Sequence, residues 1–283
     1  MTPVSVLDRP RWWQWPTVLS LDAPLVTVTW QVLLAHAAAA SLGWPREFVL
    51  GASVWLAYAA DRWIEGWRLD PDRVRTPRHR FYVRRRWSVA AVWTAVLVAD
   101  VGVAFTDLTR AEIDRGFALT AAVSAYLLWH QLAPGARRRR APKELLIAVL
   151  LAAGVAIFQT RSPRPADLAV PAALFGLLCF ANCALIAAWE RDVDRSHGQT
   201  SLALQAPGRL RLIRGLPWTV AGLATLTAIA GFGPVRLASA CAMGSAVSLG
   251  GVDALEARIG RAGARVLADV ALLTPIVPLL WRA

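Results

Sequence analysis

Three cysteines occur in 283 residues, Cys179, Cys183 and Cys241. All fall inside apolar stretches, and none belongs to a CxxC or Cys/His cluster. That argues against a disulfide framework and against a zinc site. The spacing of Cys179 and Cys183, i and i+4, suits small packing residues. Lysine is nearly absent: Lys143 stands alone among 31 basic residues. No phosphate-binding glycine loop, dinucleotide fingerprint or Ser/His/Asp arrangement is present, which removes the common nucleotide-dependent and hydrolytic classes. The first apolar run is long and lacks a processing site, so no cleavable signal peptide is expected.

What the chain has in quantity is apolar sequence. Its hydrophobic fraction is 56%, a value that decides little until its distribution is considered. Nine stretches are long enough to cross a bilayer core of about 30 Å: 17–42, 46–64, 87–106, 115–133, 144–160, 166–189, 215–233, 235–253 and 263–281. The expectation is an all-α polytopic transmembrane bundle of about nine helices, forming one integral membrane domain over 1–283. The formal net charge of +12 does not point to nucleic acid. The arginines concentrate in the loops after the second, fourth, sixth and eighth stretches, and basic loops stay cytoplasmic. The N-terminus is therefore expected inside and the C-terminus outside, in a bacterial-type inner membrane. The run Arg137–Arg140 reads as a topology determinant and lipid-headgroup contact. Trp12, Trp13, Trp15, Trp87 and Trp281 fall where an interfacial aromatic belt would lie.

Two charged cassettes interrupt this apolar plan. Asp61-Arg62-Trp63-Ile64-Glu65 ends the second stretch, and Glu190-Arg191-Asp192-Val193-Asp194 ends the sixth. Each places two acids at i and i+4, on one helix face. Four stretches separate them, as expected of a parallel repeat relating stretches 1–4 to 5–8, with a ninth appended. An ionisable group within the membrane costs about 2.5–3.5 kcal/mol on insertion scales, so these acids should face the bundle interior. Four carboxylates together repel unless cations lie between them, and Mg²⁺ is held by a few carboxylates and substrate phosphates. The other reading is an interfacial cluster neutralised by its own arginines. Asp22 beside Pro24 is a candidate cavity residue. Asn182, two turns before Glu190, points either to the same cavity or to a helix–helix hydrogen bond. Asp100 and Asp269 are further buried acids with no visible partner, and His130 reads as structural.

At these residues the chain resembles the UbiA superfamily of intramembrane prenyltransferases. Asp61 and Glu65 match the last two acids of that family's first motif, with Ala57 and Tyr58 where its leading Asn and Asp would stand. Arg75-Thr76-Pro77-Arg78-His79 resembles the basic stretch that follows. Glu190 and Asp194, with Gly198 and Ser201-Leu202-Ala203, match the second motif in register. The resemblance implies nine helices and a cytoplasmic site that ionises an isoprenoid diphosphate. Asp61, Glu65, Glu190 and Asp194 would ligate Mg²⁺, and Arg75, Arg78 and Lys143 would contact the diphosphate. Ordinary loop charges are the plainer reading of those three. The acceptor, whether quinone precursor, porphyrin, sugar phosphate or water, is not legible. The alternative is a non-enzymatic isoprenoid-lipid carrier or membrane assembly factor that retains the fold.

Overall fold

Every regular element among the described residues is helical, as a chain needs when lipid offers its backbone no hydrogen-bond partners. The computed structural model describes residues 10–68, 76–132, 142–159, 165–196 and 200–281. Its α-helices are α1 (Trp15–Val18), α2 (Asp22–Ala37), α3 (Trp44–Arg68), α4 (Pro77–Arg84), α5 (Arg86–Asp107), α6 (Arg110–Leu132) and α7 (Lys143–Ala156). There follow α8 (Ala169–Trp189), α9 (Arg191–Ser196), α10 (Leu202–Gln205), α11 (Leu210–Ala230), α12 (Pro234–Ala271) and α13 (Ile276–Leu280).

Four helical segments are long and apolar enough to cross a membrane, those of α5, α8, α11 and α12. A fifth is added if Trp12–Val18 and Asp22–Ala37, bent by 79° at Ser20, count as one span. The chain is thus an integral membrane protein of the all-α class. Helices occupy all nine predicted stretches, but fewer meet this criterion. Charged and polar residues near their ends lower the average of α3 and α6, and α7 has only 14 residues. On α5, Val92, Val98, Val101 and Phe105 are exposed, as suits a helix whose solvent is lipid.

α12 is two limbs rather than one rod. Thr274 Oγ1 donates to the Cys241 carbonyl at 2.8 Å and meets Ser245 Oγ at 2.6 Å. In a straight helix, positions 241 and 274 would stand about 50 Å apart. The chain turns back at Gly260, whose φ of 76° and ψ of 156° is a conformation essentially confined to glycine.

α8 is apolar all round and runs through the middle of the bundle, with Phe175, Leu178, Ala181 and Leu185 fully enclosed. Trp30 of α2 packs on Phe175 at 5.1 Å and donates its indole N–H to the Leu272 carbonyl at 2.8 Å. One indole thereby joins α2, α8 and the C-terminal end of α12.

The short helix α4 is clipped across one end of the bundle. Thr76 caps it, accepting from the His79 amide, and Pro77 occupies the first turn, where its missing N–H costs nothing. One face carries Arg78, His79 and Tyr82, all buried; the other carries exposed Arg84. Tyr82 meets Ser20 before α2 at 3.1 Å, His79 meets Glu65 of α3 at 3.1 Å, and Arg78 meets Glu190 after α8 at 3.1 Å. One turn and a half of helix thus ties three segments together.

Candidate functional site

Both cassettes keep their acids on one face by the same device. Asp61 and Glu65 lie one turn apart within α3. Glu190 caps the C-terminus of α8, and the Asp194 amide donates to the Glu190 carbonyl at 2.9 Å, carrying the helical register into α9. All four acids line one cavity of about 130 Å³. Asp22, Arg78, Lys143 and Asn182 line it as well. Arg75 lies outside the described residues, as do Gly198 and Arg137–Arg140.

Glu65 Oε2 accepts from Arg62 at 3.0 Å and meets His79 Nε2 at 3.1 Å. Glu190 Oε2 accepts from Arg78 at 3.1 Å and from Arg265 at 2.7 Å. Both glutamates are engaged by basic side chains, and Asp61 and Asp194 line the same cavity. Only Arg62 is a base from its own cassette; Glu190 draws its partners from α4 and the second limb of α12. Local neutralisation by its own arginine describes Glu65 of the first cassette but not Glu190 of the second.

The basic side of the site is under-partnered. Arg78 Nε and Nη1 and Arg265 Nε are buried without hydrogen-bond partners among the described residues. Leaving such a donor unpaired costs about 1–3 kcal/mol, more when charged, so these guanidiniums are suited to an anion. Burial, with the neighbouring Arg265 and Arg62 charges, draws Arg78 down to about 10, which leaves it charged at neutral pH. His79 is pushed down to about 4, chiefly by burial. Neutral His79 suits both of its contacts: Nε2–H donates to Glu65, and Nδ1 accepts from the Thr76 hydroxyl.

Seven acidic side chains and four Arg or Lys line the cavity, an excess of three negative charges if all ionise. No three His, Cys, Asp or Glu among the described residues form a group that could hold a metal ion by themselves. Mg²⁺ needs only one or two protein carboxylates when phosphate oxygens and water complete its shell. The donor chemistry therefore fits a cation that arrives with a phosphorylated ligand.

Several cavity residues carry signals that sequence reasoning passed over. Arg265 is a basic residue inside an apolar stretch, which by itself marks an interior site. Glu144, beside Lys143, accepts from the Leu202 amide at 3.0 Å and so seats the Ser201-Leu202-Ala203 segment. Tyr58 and Tyr126 line the cavity, and Tyr126 stacks on His130 at 5.9 Å. The chain has three tyrosines; the third is Tyr82 of the α4 clip. Asp100 is bonded by Ser53 at 2.9 Å, away from the site. No known protein family, curated protein or solved structure matches the chain.

Proposed function

We propose that this cavity binds an isoprenoid diphosphate and that the chain transfers the prenyl group to an acceptor, as its UbiA-like motifs imply. One observation carries the reading: acids from both cassettes and bases from α3, α4, α7 and α12 converge on a single cavity at one end of an apolar bundle. Val26, Ile147, Leu151, Ile186 and Leu272 give that cavity an apolar wall suited to a prenyl chain. Arg62, Arg78, Lys143 and Arg265 would face the diphosphate and offset the charge that grows on it as the allylic carbon–oxygen bond breaks. Asp61, Glu65, Glu190 and Asp194 are the acids that would hold Mg²⁺ bound with the diphosphate, which would add Lewis-acid stabilisation. Exclusion of water by the surrounding helices would protect the allylic cation. The site lies on the cytoplasmic side of a nine-span protein in this reading.

A second reading has one observation in its favour. Glu65 and Glu190 are already engaged by basic side chains, and Tyr58 stands where the resembled motif has an acid. A carrier that binds the diphosphate without cleaving it would need no more. The two readings separate in one experiment on the purified protein in lipid vesicles, with geranylgeranyl diphosphate, with and without Mg²⁺. Prenyl transfer requires a diphosphate-dependent rise in melting temperature and release of pyrophosphate. A rise without release selects the carrier, and no rise in either condition removes both.

A further inference from the structure

The helix that carries Arg78 to the cavity ends in arginine. Arg84 closes α4, Arg85 links it to α5, and Arg86 opens α5; all three are exposed. Arg84 lies about 9 Å along α4 from Arg78. No carboxylate among the described residues pairs with any of the three. Neighbouring cations repel, so a cluster of this kind gains from an anion placed among them.

Tryptophans form the next layer of this corner. Trp63 and Trp67 of α3 and Trp87 of α5 make a ladder of edge-on contacts, with 5.7 Å between the first two rings and 6.1 Å between the last two. Trp63 donates its indole N–H to the Arg86 carbonyl at 3.0 Å. The Arg86 guanidinium lies 4.4 Å over the Trp67 ring. Stacking holds a guanidinium by its face and leaves its N–H edge for phosphate oxygens. Trp67 and Trp87 stay 47% and 70% exposed, as rings do that sit at the level of lipid headgroups. From Trp87 the exposed face of α5 continues through Val98, Val101 and Phe105, which lie 11, 14 and 18 positions on and so share one side of the helix. Val98 is about 18 Å along the helix from Arg86. Charge, aromatic rings and an apolar stripe thus follow one another along one line, the profile of a phospholipid from phosphate to acyl chain.

We infer that the corner between α4 and α5 is a seat for an anionic phospholipid, with its phosphate among Arg84, Arg85 and Arg86 and an acyl chain along α5. The seat rests on the membrane-spanning fold and not on the prenyltransferase reading. A zwitterionic headgroup would bring a cation of its own to three unpaired arginines, so the seat selects lipids of net negative charge. Through Arg78, His79 and Tyr82, α4 also holds Glu190, Glu65 and Ser20. A lipid that binds only the folded corner therefore stabilises the clip beside the cavity by mass action.

The test places the purified full chain in phosphatidylcholine vesicles with increasing phosphatidylglycerol. Melting temperature and hydrogen exchange at residues 77–86 are the readouts. Phosphatidylglycerol should raise the melting temperature to a plateau and slow exchange in that segment. Arg85→Gln should raise the half-saturating phosphatidylglycerol fraction about fivefold, the scale of one arginine at an anionic surface. The Arg84→Gln/Arg85→Gln/Arg86→Gln variant should lose the rise; where it fails to fold, the single variant decides. Arg209→Gln/Arg211→Gln/Arg258→Gln removes the same charge from exposed positions outside α4 and α5, and should keep the full rise. An equal loss in that control would reduce the effect to diffuse surface charge and overturn the seat. A wild type indifferent to phosphatidylglycerol, or an Arg85→Gln variant with the wild-type response, would overturn it as well. Glycerol phosphate, which carries the anion without acyl chains, should give no rise in phosphatidylcholine vesicles. A rise as large as that from phosphatidylglycerol would overturn the lipid assignment in favour of a phosphate site.

Discussion

The Arg78 guanidinium donates to Glu190 at 3.1 Å across 112 positions of sequence, and so joins the basic stretch after the first acidic cassette to the second cassette. Glu190 receives Arg265 on the same oxygen. Breaking a largely buried ion pair from one side leaves an uncompensated charge and costs about 3–5 kcal/mol. Glu190→Gln is expected to destabilise more than Arg78→Ala, because it strands two guanidiniums rather than relieving one. The Arg78→Ala/Glu190→Gln double variant should then lose less than the sum of the singles. Denaturation midpoints of the four proteins check this, and strict additivity would mean that the pair is not coupled.

His79 gives the clip a pH dependence of defined sign. Its folded value, about 4, lies below the ordinary 6.5 because burial disfavours the charged ring. The unfolded chain therefore binds a proton that the folded chain refuses. Stability from this residue is complete above about pH 6.5 and declines as the pH falls toward 4. A shift of this size corresponds to at most about 3 kcal/mol. Melting temperatures measured across this range should fall less steeply for His79→Asn than for the wild type. Parallel curves would show that the ring is not buried neutral.

Glu144 is 2% exposed and holds the Leu202 amide. Glu144→Ala removes the acceptor and should cost about 1–3 kcal/mol, whereas Glu144→Gln keeps an acceptor oxygen and should cost less. Hydrogen exchange at residues 201–205 is the local readout: it should quicken in the alanine variant well before global unfolding. Unchanged protection there would place the support of this segment elsewhere.

Two adjacent glycines on α12 should respond oppositely to the same change. A Cβ on Gly250 would sit 2.8 Å from the Trp218 ring of α11, whereas one on Gly251 meets nothing within 4 Å. Close approach through small residues is how helices pack in lipid. Gly250→Ala should therefore lower the melting temperature by forcing α11 and α12 apart or the indole aside. Gly251→Ala should be neutral or stabilising by up to about 1 kcal/mol through helix propensity. Equal effects at the two positions would show that Trp218 does not pack as described.

The sequence disclosed the helical class and the residues that meet in the cavity for the same reason: a charge within apolar sequence is expensive enough to need an address. Asp61, Glu65, Glu190 and Asp194 stood out because their i, i+4 spacing marks a shared face. Pairing was not legible. Nothing in the one-dimensional pattern says that Glu190 takes Arg78 and Arg265 rather than adjacent Arg191, because that choice depends on where α4 and the second limb of α12 are packed. Four or five helical segments meet the criterion of length and apolarity; α3, α6 and α7, which cover three of the nine expected stretches, are too charged or too short to meet it. Asp269 looked solitary for a similar reason: its partner, Asn182, is 87 positions away.

Gly260 has a consequence that reaches both levels of the cavity. Its backbone torsions set the direction in which residues 261–271 return, and that return carries Arg265 to Glu190 and Asp269 to Asn182. Space is open around its Cα, so a methyl group there would meet no neighbour; only the torsion forbids it. A substitution at this one residue would swing the anion-facing guanidinium and the Asn182-bound carboxyl together, as two marks on the same clock hand. The Arg265–Glu190 and Asn182–Asp269 contacts are therefore not independently adjustable by any change that acts through this turn.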